Sequence, residues 1–165
     1  MQHVLVVDEP SAGAEIKTLL TPRYRVSLAE DGERAVELLD RDGPDLVLLE
    51  AALPGMSGIE LAAYVVQRGL PAVVISPKPA ICAGLDRLGW PHLRKPFEVD
   101  ALLHTVQQTL ALAQQRQHVV RQSLRVFART SGELREAILN LSELRQRVQE
   151  TLARSRRQPG PREPH

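Results

Sequence analysis

Aromatic side chains are scarce in this chain: one Trp, two Tyr and two Phe make up 3% of its residues. That scarcity argues against a surface that reads nucleobases or sugars by stacking. There is one cysteine, Cys82, which excludes an internal disulfide framework and fits a reducing compartment. No apolar run is long enough to span a bilayer, and the N-terminus lacks a basic flank followed by an apolar h-region. The expectation is a soluble, cytoplasmic protein without a membrane partner. With 43% apolar content in 165 residues, the chain has enough to pack one ordinary domain plus an appendage.

Net charge is also small, at +1, but only as a sum. Residues 1–113 hold 10 Lys/Arg against 15 Asp/Glu, whereas residues 114–165 hold 11 Arg against 5 Glu. An acidic domain is thus followed by a basic extension. Such asymmetry can mark nucleic-acid contact, but arginines that solvate the outer face of a helix explain it more simply. No separate helix-turn-helix pattern follows residue 113, so nucleic acid is not the expected partner.

What the chain has instead is a regular alternation. His3-Val4-Leu5-Val6-Val7 is a β-branched run that exits into Asp8-Glu9, and reads as a buried strand. Residues 11–20 carry Ala12, Ile16, Leu19 and Leu20 at helical spacing up to Pro22. Tyr24–Leu28 alternates as a second strand, and Asp31 can N-cap the helix that ends at Asp42-Gly43-Pro44. Leu46-Val47-Leu48-Leu49 is apolar throughout, the mark of a strand buried on both faces, and it delivers Glu50 at its end. Ser57 starts a third helix, Ala72–Ser76 is a fourth strand, and Pro91–Arg94 is a brief fifth. Residues 80–88 make at most a short helix, cut off by Gly89, and Pro77 and Pro79 stand where it should begin. Strand and helix alternating five times predict an α/β, doubly wound parallel sheet with helices on both faces.

Asp8, Glu9, Glu50, Ser76 and Lys95 all fall at C-terminal ends of these strands, on the edge where such sheets place their chemistry. Carboxylates gathered there could hold a hard cation such as Mg²⁺, and a lysine could neutralise them. Five segments carry a family likeness: Val6-Val7-Asp8-Glu9, Asp45-Leu46-Val47-Leu48-Leu49, Leu53-Pro54-Gly55-Met56-Ser57-Gly58, Val74-Ile75-Ser76 and Lys95-Pro96-Phe97. In this order they resemble the receiver domain of two-component response regulators, over residues 3–113. The resemblance implies a flavodoxin-like strand order of 2-1-3-4-5. It further implies an acidic pair for Mg²⁺ at Asp8 and Glu9, a phosphate-sensing hydroxyl at Ser76 and a phosphate-contacting lysine at Lys95. His92 falls where the family often has a switching aromatic.

Two departures from the family stand out. The phosphoacceptor position carries Glu50 instead of Asp, one methylene longer by about 1.2–1.5 Å. In-line phosphoryl transfer depends on positioning, and a displacement of about 1 Å can cost on the order of 10²-fold in rate. The expectation is therefore a non-enzymatic receiver that takes no phosphate, needs no cofactor and binds Mg²⁺ weakly if at all. Its Glu50 carboxylate should reach toward Lys95 and Ser76, either mimicking a phosphorylated state or forming a purely structural pair. The Ser76–Lys95 interval is also a few residues shorter than the family's, which points to remodelling of the face built by the fourth helix and fifth strand. A conventional phosphorelay receiver is the alternative.

The last helix, from about Asp100, carries a heptad seam that does not stop at a domain edge. Leu103, Val106, Leu110, Ala113, Gln117, Val120, Leu124, Phe127, Ser131, Leu134, Ile138, Leu141, Arg145, Val148 and Leu152 alternate steps of three and four. A rod over 100–157 would be about 85 Å long at ~1.5 Å per residue, and no helix of that length is stable alone. The seam therefore predicts a helical partner, as a coiled-coil homodimer or as a hairpin bent near Ser131-Gly132. Its interface would use Leu110, Val120, Leu124, Phe127, Leu134, Ile138, Leu141 and Val148. Residues 127–135 also resemble the dimerisation helix of histidine kinases, with Gly132 in the place of the phosphorylated histidine. That resemblance implies a signalling partner such as a histidine kinase. The expected division is 1–113 receiver-like, 114–157 helical extension and 158–165 disordered tail.

Overall fold

In the computed structural model, β1 (His3–Val7), β2 (Arg25–Ala29), β3 (Leu46–Glu50), β4 (Ala72–Ser76) and β5 (His92–Arg94) form one parallel sheet. Its order is β2-β1-β3-β4-β5, as the resemblance implied. Helices α1 (Pro10–Leu20), α2 (Gly32–Asp42), α3 (Gly58–Gln67), α4 (Pro79–Leu88) and α5 (Val99–Thr130) follow the strands in turn. The structure describes residues 1–130 together with Glu143, Gln146, Arg147, Val148 and Glu150; side chains of residues 124–130 are not among those described. The chain divides into two compact units, Met1–Arg116 and Gln117–His165.

Burial explains the strand sequences. Every residue of β1, β3 and β4 is buried, so these strands need apolar side chains on both faces. Alternate residues serve two separate cores. Leu5, Val7, Val47, Leu49 and Val74 pack with α2, α3 and α4, while Val4, Val6, Leu46, Leu48, Val73 and Ile75 pack with α1 and α5. A one-residue slip of any central strand would exchange these two sets.

Helix boundaries follow local chemistry. Asp31 caps α2, its Oδ1 accepting from the Arg34 N–H at 2.8 Å, and Gly43 ends the helix at φ 54°. Ser57 caps α3 by accepting from the Ile59 N–H at 3.2 Å. Helix α4 runs Pro79–Leu88, one residue longer than the expected 80–88, and Gly89 ends it at φ 66°. Pro79 sits in its first turn, where the missing N–H is not needed and the fixed φ favours the helix. Helix α5 begins at Val99, one residue before the expected start at about Asp100, which lies in its first turn.

The seam also needs one correction. Leu110, expected at the helical interface, is 3% exposed and packs in the domain's own core with Leu102 and Val106. An amphipathic helix covering a sheet and one pairing with another helix use nearly the same period, so the pattern could not separate them. Farther along, Val120 and Val148 are half exposed. Leu134, Ile138, Leu141, the break at Ser131-Gly132, the kinase-like segment beyond Thr130 and the tail 158–165 lie outside the described residues, as do the side chains of Leu124 and Phe127.

At the opposite end of the sheet from the strand exits, His3 is buried at 5% exposure. Its Nε2 lies 2.8 Å from the Ser27 hydroxyl, and its backbone N–H donates to Asp45 at 2.7 Å. Its Nδ1 has no hydrogen-bond partner among the described residues. Burial, then the charge of Arg25, pushes the imidazole pKa below its usual value, with Asp42 and Asp45 opposing. The unfolded chain therefore binds this proton more readily than the folded one. Stability from neutral His3 is fully present above about pH 6.5 and is lost as the pH falls from there through the lower folded value. Urea midpoints between pH 7.5 and 5 should fall more steeply for the parent than for His3→Gln. Parallel slopes would rule out the His3 contribution.

Candidate functional site

The ends of β1 and β3 deliver Asp8 and Glu50 side by side, and the turn after β5 brings Lys95 over both. The Lys95 Nζ lies 2.7 Å from Glu50 Oε2 and 2.9 Å from Asp8 Oδ2. Both carboxylates are almost wholly buried, and the lysine side chain is 25% exposed. The remaining oxygens are also engaged: Asp8 Oδ1 accepts from the Glu9 N–H at 2.8 Å, and Glu50 Oε1 from the Ala52 N–H at 3.3 Å. Burial alone would lower the Lys95 pKa, but hydrogen bonds to Glu50 and Asp8 outweigh it and hold the ammonium above its usual value.

Backbone packing fixes where Glu50 stands. A Cβ on Gly58 would overlap the Glu50 carbonyl oxygen, so only glycine lets the start of α3 close against the exit of β3. The Gly58 N–H then donates to the Ala51 carbonyl at 2.9 Å. Above the carboxylates opens a cleft of about 730 Å³, lined among others by Glu9, Glu30, Asp31, Pro54 and Pro77.

Of the residues expected at the site, Asp8, Glu50 and Lys95 converge, and Glu9 stands exposed at the rim. Ser76 and His92 do not join them. Ser76 is 1% exposed, and its Oγ accepts from the Lys78 N–H at 3.1 Å. The His92 Nδ1 lies 2.9 Å from the Trp90 carbonyl, and its Nε2 lies 3.4 Å from Asp86 of α4. The expectation that Glu50 reaches Ser76 is thus corrected: the turn through Pro77 brings the Lys78 amide to the hydroxyl. Glu30 and Asp31 are cleft residues that sequence reasoning passed over. Their position at the exit of β2 was the available signal, but Asp31 drew notice only as a helix cap.

For a metal, the buried Asp8 and the exposed Glu9 would supply the carboxylates, and Mg²⁺ sites commonly use one or two carboxylates and several waters. The pair fits a weak site, since one Asp8 oxygen is held by Lys95. Among the described residues, no group of three or more His, Cys, Asp or Glu is placed to hold a metal.

A doubly wound five-stranded sheet with two buried carboxylates and a lysine at its strand exits carries its candidate site where open α/β sheets bind their ligands. The response regulator receiver domain model matches residues 4–107, and the chain belongs to that family. Response regulator MprA of Mycolicibacterium vanbaalenii is 34% identical over 108 residues, covering 61% of this chain and 47% of its own. MprA of Mycobacterium leprae is 32% identical over 115 residues, 66% of this chain and 50% of its own. The chain thus spans about half the length of the curated relatives it matches. Among solved structures, the receiver domain of an HD domain-containing protein from Pseudomonas fluorescens Pf-5 aligns with a TM-score of 0.63 at 26% identity, covering 69% of this chain and 98% of its own. TrrA of Thermotoga maritima, solved with Mg²⁺ and BeF, aligns with a TM-score of 0.59 at 27% identity, covering 66% of this chain and 99% of its own.

Proposed function

We propose that this receiver works by binding other proteins, independently of phosphorylation. The observation that carries this reading is the pairing of Lys95 with both Glu50 and Asp8 in a buried cluster. A lysine available to contact an incoming phosphoryl group is here already neutralised by the residue at the acceptor position. Glu50, one methylene too long for in-line attack beside a metal at the Asp8–Glu9 rim, serves as a fixed anion and not as a nucleophile. Ser76 and His92, the remaining members of the expected switch, are held by Lys78 and by Trp90 and Asp86. With these groups engaged, the site has no catalytic role, requires no cofactor and takes up Mg²⁺ weakly at Asp8 and Glu9.

The output lies in α5 and the residues beyond it. Val120 is more than half exposed, and the seam it belongs to needs a second helix. The extension makes the protein a homodimer that docks a signalling partner, such as a histidine kinase, in the cytoplasm. Among the described residues no helix is long and apolar enough to cross a membrane.

Light scattering on the full chain and on residues 1–116, each with and without a small phosphodonor and Mg²⁺, tests both parts. The expected masses are a dimer for the full chain and a monomer for the shorter one, unchanged by the phosphodonor. Two monomers would remove the helical interface. A mass that shifts with the phosphodonor would restore the conventional receiver.

A further inference from the structure

The charges of α5 are segregated as those of the other helices are not. Residues 101–132 contain no Asp or Glu, yet they hold Arg116, Arg121, Arg125 and Arg129. Arg116, Arg121 and Arg125 have no acid within four residues on either side, and Arg129 has only Glu133. On α2, by contrast, Arg34 lies 2.6 Å from Glu37 and Arg41 lies 2.9 Å from Asp42. Mixed signs of that kind are what a merely solvated helix face carries.

At about 100° per residue, positions 118, 121, 125 and 129 fall within about 80° of one another. They place His118, Arg121, Arg125 and Arg129 in one stripe along the helix, and the first two are exposed. With Gln117 at heptad position a, the stripe occupies b, e and f, so a helix covering the seam leaves it open. The stripe is thus independent of the dimer proposed for the extension. It runs about 16 Å at ~1.5 Å per residue, over which one strand of a duplex presents on the order of five phosphates at one per ~3.4 Å of axis.

A straight row of cations without counter-charges fits a stiff polyanion. An anionic lipid surface fits less well, because a helix lying on lipid sinks a continuous apolar face into it. Around α5, Arg116 and Ser123 stand between Val119 and Val120 on the side away from the stripe, so that face would bury a charge. Duplex nucleic acid needs only the stripe. Few aromatics and no helix-turn-helix pattern weigh against reading bases, but phosphate contacts require neither and carry no sequence information. We propose that the stripe of His118, Arg121, Arg125 and Arg129 binds the phosphate backbone of duplex nucleic acid without reading its sequence.

Fluorescence anisotropy of a labelled duplex of arbitrary sequence, titrated with the full chain between about 50 and 200 mM salt, tests this. Arg121→Gln, Arg125→Gln and Arg129→Gln together should shrink the slope of log K against log salt by about 2.7 per helix engaged, at about 0.9 per phosphate contact. Binding at ~50 mM salt should weaken by more than about tenfold. Glutamine is a good helix former and the three positions lie off a and d, so light scattering should give this variant the parent's mass. Lys17→Gln, Arg23→Gln and Arg87→Gln together remove the same charge from exposed sites outside α5 and should leave the slope unchanged. Equal losses in the two triple variants would reduce the effect to net charge and overturn the proposal. So would a parent chain that binds no duplex at ~50 mM salt, or one that binds anionic phospholipid vesicles in preference to duplex. A stripe variant that loses its assembly along with its affinity would also overturn it, by tying binding to the seam.

Discussion

Replacing Lys95 with methionine is expected to cost about 3–5 kcal/mol of folding stability, the range for stripping one partner from a buried ion cluster. Asp8 and Glu50 would be left side by side, nearly without solvent and without the ammonium that both touch. Against a typical total of about 5–15 kcal/mol, that loss is a large share of what keeps a domain folded. The effect should be read by urea unfolding near neutral pH. The Lys95 pKa is raised in the folded state, so its contribution is complete below the usual lysine value of about 10.4 and is lost as the pH rises through the folded value. Adding Glu50→Gln to Lys95→Met should recover part of the loss, because only one buried charge then remains. A Lys95→Met variant within about 1 kcal/mol of the parent, the range of a surface ion pair, would mean that the cluster is not desolvated as described.

The second large effect concerns chemistry. Shortening Glu50 to aspartate should raise phosphoryl uptake from a small phosphodonor by on the order of 10²-fold, the scale of a ~1 Å correction in attack geometry. Aspartate at this position pulls the carboxylate back from Lys95, freeing the ammonium to meet the incoming oxygens. Mg²⁺ affinity should rise in the same variant, since the shorter carboxylate, released from Lys95, is available as a further oxygen ligand beside Asp8 and Glu9. Equal labelling of Glu50→Asp and the parent would show that the extra methylene is not what blocks the reaction.

The sheet was readable because its central strands are buried on both faces, which forces uninterrupted runs such as Leu46–Leu49 that little else produces. The start of α2 was readable because Asp31 has a single local task that its side chain can perform. At α4 the prolines left two readings open: Pro79 marks the first turn of a helix as readily as an obstacle to one, and only the backbone decides. The site divides in the same way. That Asp8, Glu50 and Lys95 meet follows from topology, since all three stand at strand exits of one parallel sheet. That Ser76 turns to Lys78 depends on the rotamer and the path through Pro77, which strand position does not set. Leu110 shows a third limit, because the period that buries it against the sheet continues into positions that stand in water.

The central claim is that the acceptor position of this receiver holds a fixed charge and takes no phosphate. Intact-protein mass after incubation with a small phosphodonor and Mg²⁺ tests it most directly, with Glu50→Asp as the positive control. The expected result is an unchanged mass for the parent chain under conditions that phosphorylate the control. A stoichiometric added phosphoryl group on the parent, mapped to Glu50, would contradict the claim.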